Sequence, residues 1–347
     1  MHGSHGACGG SRAYTSINDA VQAVAPGGVV HVCPGTYAED VTVDKPVTLR
    51  GSHAVVAPDE SDSSPISALV GGNNAFTVLA PWVTISGFTV HGATGDGIIL
   101  LGDHGRIEHN RSTDNGINGI NVDGSSWSVV KANTLSRNAS GLELANDPAA
   151  AGIQLPGVSG TAAHDDIVDN AVVENPLACG ILLVDHAGSA QGANLALGIH
   201  DNRIENNKVV NNAMAGFGAG ILLATPAPGG AVYDNLIRHN TISGNGLSGV
   251  TVHSHLPSQD LNGNVVVGNR IGTNNLRGFQ EPDDPQTTGV FVGSQSPLSI
   301  TVRHNVIRSN TIGIFAAGGH VTVDGASANT FVDVTTPFAT SPTFEGG

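Results

Sequence analysis

The 347-residue chain is poor in charge, and this shortage limits its partners. Only 12% of the residues are charged, and Asp and Glu outnumber Lys and Arg by 29 to 14, for a net charge of −15. Nucleic acid needs a basic surface, so it is not expected as a partner. A polyanionic substrate would need help, for example from calcium bridging it to carboxylates. No apolar run approaches the roughly 18 residues of a membrane-spanning helix, so no membrane span is predicted.

Aromatic residues are scarce as well, at 4%, whereas glycine occurs 47 times and asparagine recurs with a fixed spacing. In IRHNTISGN, Asn240 and Asn245 lie five residues apart, each close to a β-branched residue. Asparagine is disfavoured in helices and in most strands, so its recurrence needs a structural reason. The same pair occurs seven times: Asn110/Asn115, Asn133/Asn138, Asn170/Asn175, Asn207/Asn212, Asn240/Asn245, Asn269/Asn274 and Asn305/Asn310.

The pairs define a repeat of about 23 residues with insertions of up to 14, and a short apolar strand follows each pair. Examples are Gly119-Ile-Asn-Val, Gly152-Ile-Gln-Leu and Gly220-Ile-Leu-Leu, in which alternate residues are apolar. Three short strands per repeat without a helical period predict one turn of a parallel β-helix. The chain is therefore predicted to be all-β, a solenoid in one domain.

Stacking explains the asparagines. Coils of a β-helix lie about 4.8 Å apart, so an Asn at the same place in each coil can donate its amide NH2 to the carbonyl oxygen of the next. Asparagine also tolerates the left-handed backbone of a tight corner. We therefore interpret the asparagines as architecture and expect ladders of side chains along the solenoid.

The N-terminal part carries a family resemblance. Residues 14–28 predict a short amphipathic helix with Ser16 and Asp19 spaced as a capping box, and VVHVCPGTYAEDVTVDKPVTLRG follows as strand, turn, strand, turn, strand. This order resembles the right-handed parallel β-helix repeat proteins of the pectate-lyase-like superfamily. The resemblance implies a single-stranded right-handed parallel β-helix with a short N-terminal capping helix over residues 13–337. Residues 1–12 are interpreted as a tag or flexible N-terminus, and 338–347 as a tail.

The three cysteines bear on location. Cys8 and Cys33 are a plausible disulfide that fastens the N-terminal segment, and Cys179 is predicted to be a buried free thiol. A disulfide together with the resemblance indicates a secreted or extracellular protein, in the periplasm or on the cell surface. The alternative is a cytoplasmic protein with three unpaired thiols.

Insertions lie on both sides of the repeated Gly-Ile-x-Leu strand, before it at residues 139–151, 213–219 and 276–288, and after it at 184–198, 224–232 and 253–263. Loops on a rigid scaffold carry function, so these segments are expected to wall a substrate groove. Its floor is predicted from outward residues and is largely apolar. The predicted substrate-binding residues are Gln154, Thr251, Phe291 and, on one wall, Arg277.

The floor departs from the enzymes it resembles. It shows no Arg or Lys base of the lyases and no paired aspartates of the hydrolases. Asp147-Pro148 is followed by three alanines, where the alginate epimerases continue with His-Asp. The remaining catalytic candidates are Asp185, His186, His253, His255 and Asp260. Histidine beside a carboxylate can perform acid–base catalysis near neutral pH, or two His and an Asp can bind a transition metal. Solvent-exposed polar corners are the plain alternative.

Two further acidic stretches could bind calcium: Asp165 and Asp166 before the Asn170 position, and Asp283 and Asp284 in EPDDP. No EF-hand spacing is present, and a solvated charged loop is the favoured alternative. Calcium is the cofactor that these carboxylates would suit, and the sequence predicts no other.

Three hypotheses for function follow. The first is an extracellular carbohydrate-active enzyme, a lyase, hydrolase or epimerase that cleaves or epimerises a polysaccharide in the groove. The second is a non-catalytic polysaccharide-binding or surface structural protein, motivated by the missing signatures and the apolar floor. The third is a metal-handling protein of the periplasmic β-helix type, motivated by the 15 histidines.

Overall fold

A computed structural model describes residues 13–58, 72–146, 160–189, 192–278 and 286–344. Within these ranges the chain winds as a parallel β-helix, and each full coil adds one strand to each of three parallel sheets. The all-β solenoid predicted from the repeat is confirmed. No helix of the described residues is long and apolar enough to cross a membrane.

The N-terminal end is closed by helix α1 (Ile17–Ala23), whose buried Ile17 and Val21 cover the interior of the first coil. Ser16 caps it by accepting a hydrogen bond from the Asp19 backbone N–H at 3.2 Å. The carboxylate of Glu39 adds to this cap, because it accepts from the backbone N–H groups of Ile17 and Asn18 at 3.0 and 3.1 Å.

The strands are short, and most contain three to six residues. Sheet 1 contains β1 (Val29–Val32), β8 (Arg106–Glu108), β11 (Val129–Lys131), β14 (Asp166–Val168), β18 (Arg203–Glu205), β22 (Leu236–Arg238), β25 (Val265–Val267), β28 (Leu298–Arg303) and β31 (Val321–Asp324). Sheet 2 contains β2 (Gly35–Tyr37), β9 (Arg111–Thr113), β12 (Thr134–Ser136), β15 (Ala171–Val173), β19 (Lys208–Val210), β23 (Thr241–Ser243), β26 (Arg270–Ile271), β29 (Val306–Arg308) and β32 (Thr330–Val332). The long strands β4 (Thr48–Val56) and β6 (Thr84–His91) pass through both sheets.

Sheet 3 contains β3 (Val41–Val43), β5 (Phe76–Val78), β7 (Ile98–Leu100), β10 (Asn118–Asp123), β13 (Ser140–Ala145), β16 (Ile181–Val184), β20 (Ile221–Thr225), β24 (Val250–Ser254), β27 (Thr288–Gly293), β30 (Ile312–Ala317) and β33 (Thr336–Ser341). A short side pair is formed by β17 (Ile199–His200) and β21 (Val232–Tyr233). Single 3-10 turns lie at Leu195–Leu197 and Ala326–Ala328. The last coil thus extends through Ser341, past the residue 337 at which the sequence placed the end of the domain.

The core is a set of stacked apolar columns. In sheet 3 the inward residues Ile181, Ile221, Val250, Val290 and Ile314 stand in register on successive strands and are fully buried. Burial of each such side chain contributes about 1.5–3 kcal/mol. Because the column repeats every coil, Val, Ile and Leu suffice and few aromatic residues are needed.

The predicted asparagine ladders are present. In the ladder between sheets 1 and 2, each amide Nδ2 donates to the Oδ1 of the next Asn at 2.9–3.2 Å, through Asn110, Asn133, Asn170, Asn207, Asn240, Asn269, Asn305 and Asn329. A second ladder between sheets 2 and 3 runs from Asn115 to Asn274. A third, shorter one joins Asn202, Asn235 and Asn264.

The left-handed backbone is displaced by one residue from the expected place. It belongs to the residue before most ladder asparagines, such as His109, Asp169 and His239, with φ of 58°, 59° and 56°. The corner turns at that exposed residue, and the asparagine that follows points inward to join the ladder.

The register corrects one strand. The sequence assigned Gly152-Ile-Gln-Leu to the strand that follows β10 in sheet 3, but β13 covers Ser140–Ala145, with Glu143 paired to Asn121 and Leu182. The similar motif Gly141-Leu-Glu-Leu therefore forms the strand, and the insertion follows it instead of preceding it. Gln154 lies outside the described residues.

Cys33 is disulfide-bonded, and its expected partner Cys8 lies outside the described residues. Cys179 is a buried free thiol, as predicted, and burial raises its pKa to about 12. A thiol of this kind is inert at neutral pH.

Candidate functional site

The outer face of sheet 3 carries polar groups toward the N-terminal end and apolar groups toward the C-terminal end. One outward column of this face, read along the register, contains Ile99, Asn121, Glu143, Leu182, Leu222, Thr251, Phe291 and Phe315. No Lys or Arg occurs in this column. Asn121 and Glu143 are its strongly polar members; Asn121 lies on the predicted strand Gly119-Ile-Asn-Val, and Glu143 lies on the corrected strand β13.

Around these two residues lies a cluster of Asp96, Asn118, Asn121, Glu143 and His186, called here the polar cluster. Asn118 Nδ2 donates to Glu143 Oε2 at 2.7 Å, while its backbone N–H donates to Asp96 Oδ1 at 2.9 Å. Asn121 Nδ2 lies 3.2 Å from Asp96 Oδ2. His186 Nε2 lies 3.6 Å from Glu143 Oε1. Asn118 thus connects the two carboxylates, Asn121 adds a second bond to Asp96, and the imidazole of His186 lies beside Glu143.

Asp96 is the buried member of the polar cluster. Burial raises its pKa to about 7, the charge of Glu143 adds to the rise, and the bonds from Asn118 and Asn121 oppose it. Glu143 and His186 are accessible, with side chains 17% and 35% exposed. The cluster therefore holds a proton on a carboxyl group near neutral pH, beneath two groups that solvent reaches. Such a shift is typical of functional carboxyl groups.

Asn121 adds an unusual feature. Its Oδ1 atom is buried and has no hydrogen-bond partner within the described part of the chain. Buried polar atoms are nearly always paired, so this unpaired acceptor distinguishes the polar cluster from the well-satisfied asparagine ladders.

Asp185 lies differently from what its sequence neighbours suggested. It shares the inward direction of Ile181 and Leu183 and is fully buried. Its Oδ1 accepts from Asn146 Nδ2 at 2.8 Å and from the Ala187 backbone N–H at 2.9 Å, while Oδ2 accepts from the Ala231 N–H at 2.6 Å. The carboxylate therefore organises two loops from inside the solenoid, whereas His186 next to it points outward.

His253 and His255, called here the histidine pair, lie together at the end of β24 with ring centroids 4.5 Å apart. His253 faces outward, so Asp185 lies on the opposite side of the sheet and the expected His–Asp pairing is not formed. Burial, together with the neighbouring His255, lowers the pKa of His253 to about 3, so the ring is neutral at pH 7.

The remaining predicted substrate contacts are covered. Thr251 is buried and its hydroxyl lies 2.6 Å from that of Ser248. Phe291 is buried between Phe315 and Phe344, at centroid distances of 5.7 and 6.0 Å. The end of the chain thus packs on this part of the floor.

Two predicted residues lie on loops around the floor. Arg277 donates to the Met214 carbonyl at 3.0 Å and lies over the Phe217 ring at 5.5 Å. Asp260 accepts from the Asn262 backbone N–H at 2.9 Å. Its charge reaches Tyr233, whose pKa is raised by burial first and then by neighbouring aspartates, of which Asp260 is one.

Of the two candidate calcium sites, the one that lies within the described residues is not assembled. Asp165 is fully buried, while Asp166 on the neighbouring position accepts from Arg203 Nε at 2.7 Å. Adjacent residues of a strand point to opposite faces, so these two carboxylates cannot share an ion in this arrangement. Asp283 and Asp284 lie outside the described residues.

The fold and the site together define a class: right-handed parallel β-helix proteins with ionisable groups on the outer face of one sheet. A family model described as right handed beta helix region matches residues 69–255, more than half of the chain, so the chain belongs to this family. A second model, of a protein of unknown function, matches residues 230–333. A comparison with curated proteins found no match.

Solved structures with a similar fold include both enzymes and an adhesin. The mannuronan C-5 epimerase AlgE4 A-module of Azotobacter vinelandii has a TM-score of 0.60 at 17% identity, covering 92% of this chain and 91% of that one. Pectate lyase Pel9A has 0.52 at 20%, covering 90% and 72%. PfbA, a surface adhesin of Streptococcus pneumoniae, has 0.53 at 12%, covering 92% and 85%. At such identities the likeness concerns the fold.

Proposed function

We propose that the protein is an extracellular carbohydrate-active enzyme that cleaves or epimerises a polysaccharide on the outer face of sheet 3. The observation that carries this proposal is the polar cluster. Glu143 and His186 reach solvent there above a carboxyl group, Asp96, whose pKa is about 7. Two structural neighbours, the epimerase and the pectate lyase, have names that refer to polysaccharides, which supports the substrate class.

The chemistry is proton transfer. Glu143 as the base takes a proton, from water in hydrolysis or from a sugar C–H in elimination or epimerisation, and His186 returns one to the leaving oxygen or to the sugar carbon. Asp96 is a positioning residue that fixes Asn118 and Asn121, and its proton keeps a second negative charge away from Glu143.

Charge narrows the substrate. The outward column contains no cation and the chain carries a net charge of −15, so a neutral or weakly acidic glycan fits better than a dense polyanion. Calcium would be needed only for the latter. The disulfide at Cys33 supports an oxidising compartment outside the cytoplasm.

The test is product analysis by mass spectrometry after incubation with neutral and acidic polysaccharides, with and without calcium. We expect Glu143→Gln to lower turnover by about 10²–10⁴-fold with unchanged thermal stability. The matched control is Glu174→Gln, on an exposed corner of another sheet. Loss of turnover in His253→Ala with normal turnover in Glu143→Gln would move the site to the histidine pair. Asp260→Asn and Asp185→Asn test the other two carboxylates that the sequence predicted to be catalytic, in the same assay.

The pH profile gives a separate prediction. Because the pKa of Asp96 is raised to about 7, its protonated form prevails below that pH and is lost above it. Turnover of the wild type is expected to fall as the pH rises through 7. In Asp96→Asn the part of this fall that belongs to Asp96 should disappear, because the amide carries no titrating proton, while the proton donor His186 continues to titrate. A profile in Asp96→Asn that is identical to that of the wild type would show that Asp96 does not control the rate.

A second candidate function is non-catalytic polysaccharide binding. It is favoured by the covered, apolar C-terminal part of the floor, where Phe344 packs on Phe291. Glycan binding without any product, weakened by Asn121→Ala, would support it over catalysis.

A further inference from the structure

A third group of ionisable side chains lies on the corner that precedes sheet 1, away from the polar cluster and the histidine pair. His164, His200 and Asp201 each offer one ligand atom, and these three atoms lie within 4.8 Å of one another. His164 and His200 belong to successive coils, joined by a backbone hydrogen bond from the His164 N–H to the His200 carbonyl at 3.2 Å. Asp201 follows His200 directly, with Oδ2 at 2.8 Å from His200 Nδ1.

Aromatic rings hold both imidazoles in place. Trp127 stacks on His164 at a centroid distance of 4.0 Å, and Tyr233 stacks on His200 at 4.8 Å. The Tyr233 hydroxyl is itself fixed by donation to the Leu195 carbonyl at 2.8 Å. The two histidine rings meet edge to face between these plates, at 5.6 Å. Ligands whose rings are already oriented lose little freedom when they bind an ion.

The local charge favours a cation. The carboxylates of Asp201, Asp234 and Asp260 lie close enough to Tyr233, the ring stacked on His200, to act on it electrostatically. Arg203, on the strand that follows Asp201, is paired with Asp166 and Glu205.

We propose that His164, His200 and Asp201 bind one divalent transition-metal ion of the zinc or copper type, with solvent completing the coordination. Two imidazole nitrogens and one carboxylate oxygen suit such ions, whereas calcium prefers six or more oxygen ligands. Bond lengths of about 2.0–2.2 Å bring ligand atoms to roughly 3–4 Å of one another, so side-chain rotations suffice to close the present spacing. The site is independent of the proposed polysaccharide chemistry.

The chain contains two tryptophans, and they supply a reporter and its matched control. Trp127 stacks on the ligand His164, whereas Trp82 stacks on His104 at 3.9 Å, and among the described residues His104 belongs to no such three-ligand group. Trp82→Phe leaves Trp127 as the only emitter, and Trp127→Phe leaves Trp82. His2 and His5 are changed to Ala in every variant, so that the N-terminal histidines do not bind the metal.

Titration with Cu²⁺ at pH 7.5 should quench Trp127 emission in the Trp82→Phe protein, saturating at one equivalent. Calorimetry with Zn²⁺ should give the same stoichiometry. His200→Ala should weaken both by at least roughly tenfold, because one of three ligands is lost, with an unchanged thermal midpoint in the presence of chelator. Equal quenching of Trp82 and Trp127, or unaltered affinity in His200→Ala, would overturn the proposal.

Discussion

Asn207→Ala is expected to lower the free energy of unfolding by about 3–5 kcal/mol, because it leaves several buried groups without partners. Asn207 Oδ1 accepts from the backbone N–H of Asn170 at 2.9 Å and from its Nδ2 at 3.1 Å. Its own Nδ2 donates to the Ile167 carbonyl at 2.8 Å and to Asn240 Oδ1 at 3.1 Å. Alanine removes all four bonds in the middle of the longest ladder, where Asn207 is buried.

The control for this prediction is the preceding residue. Asn206 is exposed and has a left-handed backbone with φ of 55°, a conformation that glycine adopts without strain. Asn206→Gly should therefore change stability by only a few tenths of a kcal/mol. Urea unfolding followed by circular dichroism measures both variants. A loss below about 1 kcal/mol for Asn207→Ala would mean that the ladder bonds add little beyond the backbone stacking.

Asp165→Asn is expected to stabilise the protein at neutral pH by about 1–3 kcal/mol, the usual cost of one buried unsatisfied polar group. Asp165 occupies a ladder position: its Oδ1 accepts from the Ser128 N–H at 2.6 Å, and its N–H donates to Asn202 Oδ1 at 2.9 Å. Its Oδ2 lies where a ladder amide would donate, and it has no partner among the described residues. An asparagine there would restore the missing donor.

The gain should depend on pH in a definite direction. Burial raises the pKa of Asp165 well above its usual range, with the charges of Asp103 and Asp166 adding to it. The protonated form is therefore favoured in the folded state, so wild-type stability is highest below the unfolded pKa of about 3.9 and falls as the pH rises through the folded value. The advantage of Asp165→Asn should grow over the same interval and then level off.

Thermal unfolding between pH 4 and 8, with a chelator present to exclude metal at His164, measures this difference. Asp166→Asn is the matched control, because Asp166 lies on the opposite face and pairs with Arg203 on the surface. Asp166→Asn should lower the free energy of unfolding only slightly, by no more than about 1 kcal/mol. A destabilised Asp165→Asn at pH 7.5 would mean that the carboxylate is bound to something that the amide cannot replace.

The repeat allowed the fold to be predicted, because stacked coils impose one environment on every ladder position. The same phase could have identified Asp165, which lies five residues before Asn170 just as Asn202 lies five before Asn207. The adjacent carboxylate of Asp166 instead favoured the interpretation of Asp165 as a calcium ligand, although its position in the repeat is that of a ladder asparagine. Periodicity identifies a position more reliably than local composition does.

The candidate site was harder to predict. Gly141-Leu-Glu-Leu and Gly152-Ile-Gln-Leu fit the strand pattern equally well, and only pairing with the neighbouring coils decides between them. Choosing the second moved Glu143 off the floor and put Gln154 in its place. Asp96 was missed because its raised pKa comes from burial by segments that are distant in the sequence. Asp185 follows the last residue of β16 and was therefore assigned to a surface loop. The alternation of the strand continues one residue further, however, and buries it.

The corner residues have a consequence for what can be built on this chain. Before the ladder asparagines of one edge stand His109, Ala132, Asp169, Asn206, His239, Gly268 and His304, all with positive φ. Their backbone conformation is fixed by the fold, yet histidine, aspartate, asparagine, alanine and glycine all occur at these positions. Natural variation or protein design can therefore place a chosen order of side chains along this edge, one per coil and about 4.8 Å apart. The β-helix that carries them stays unaltered.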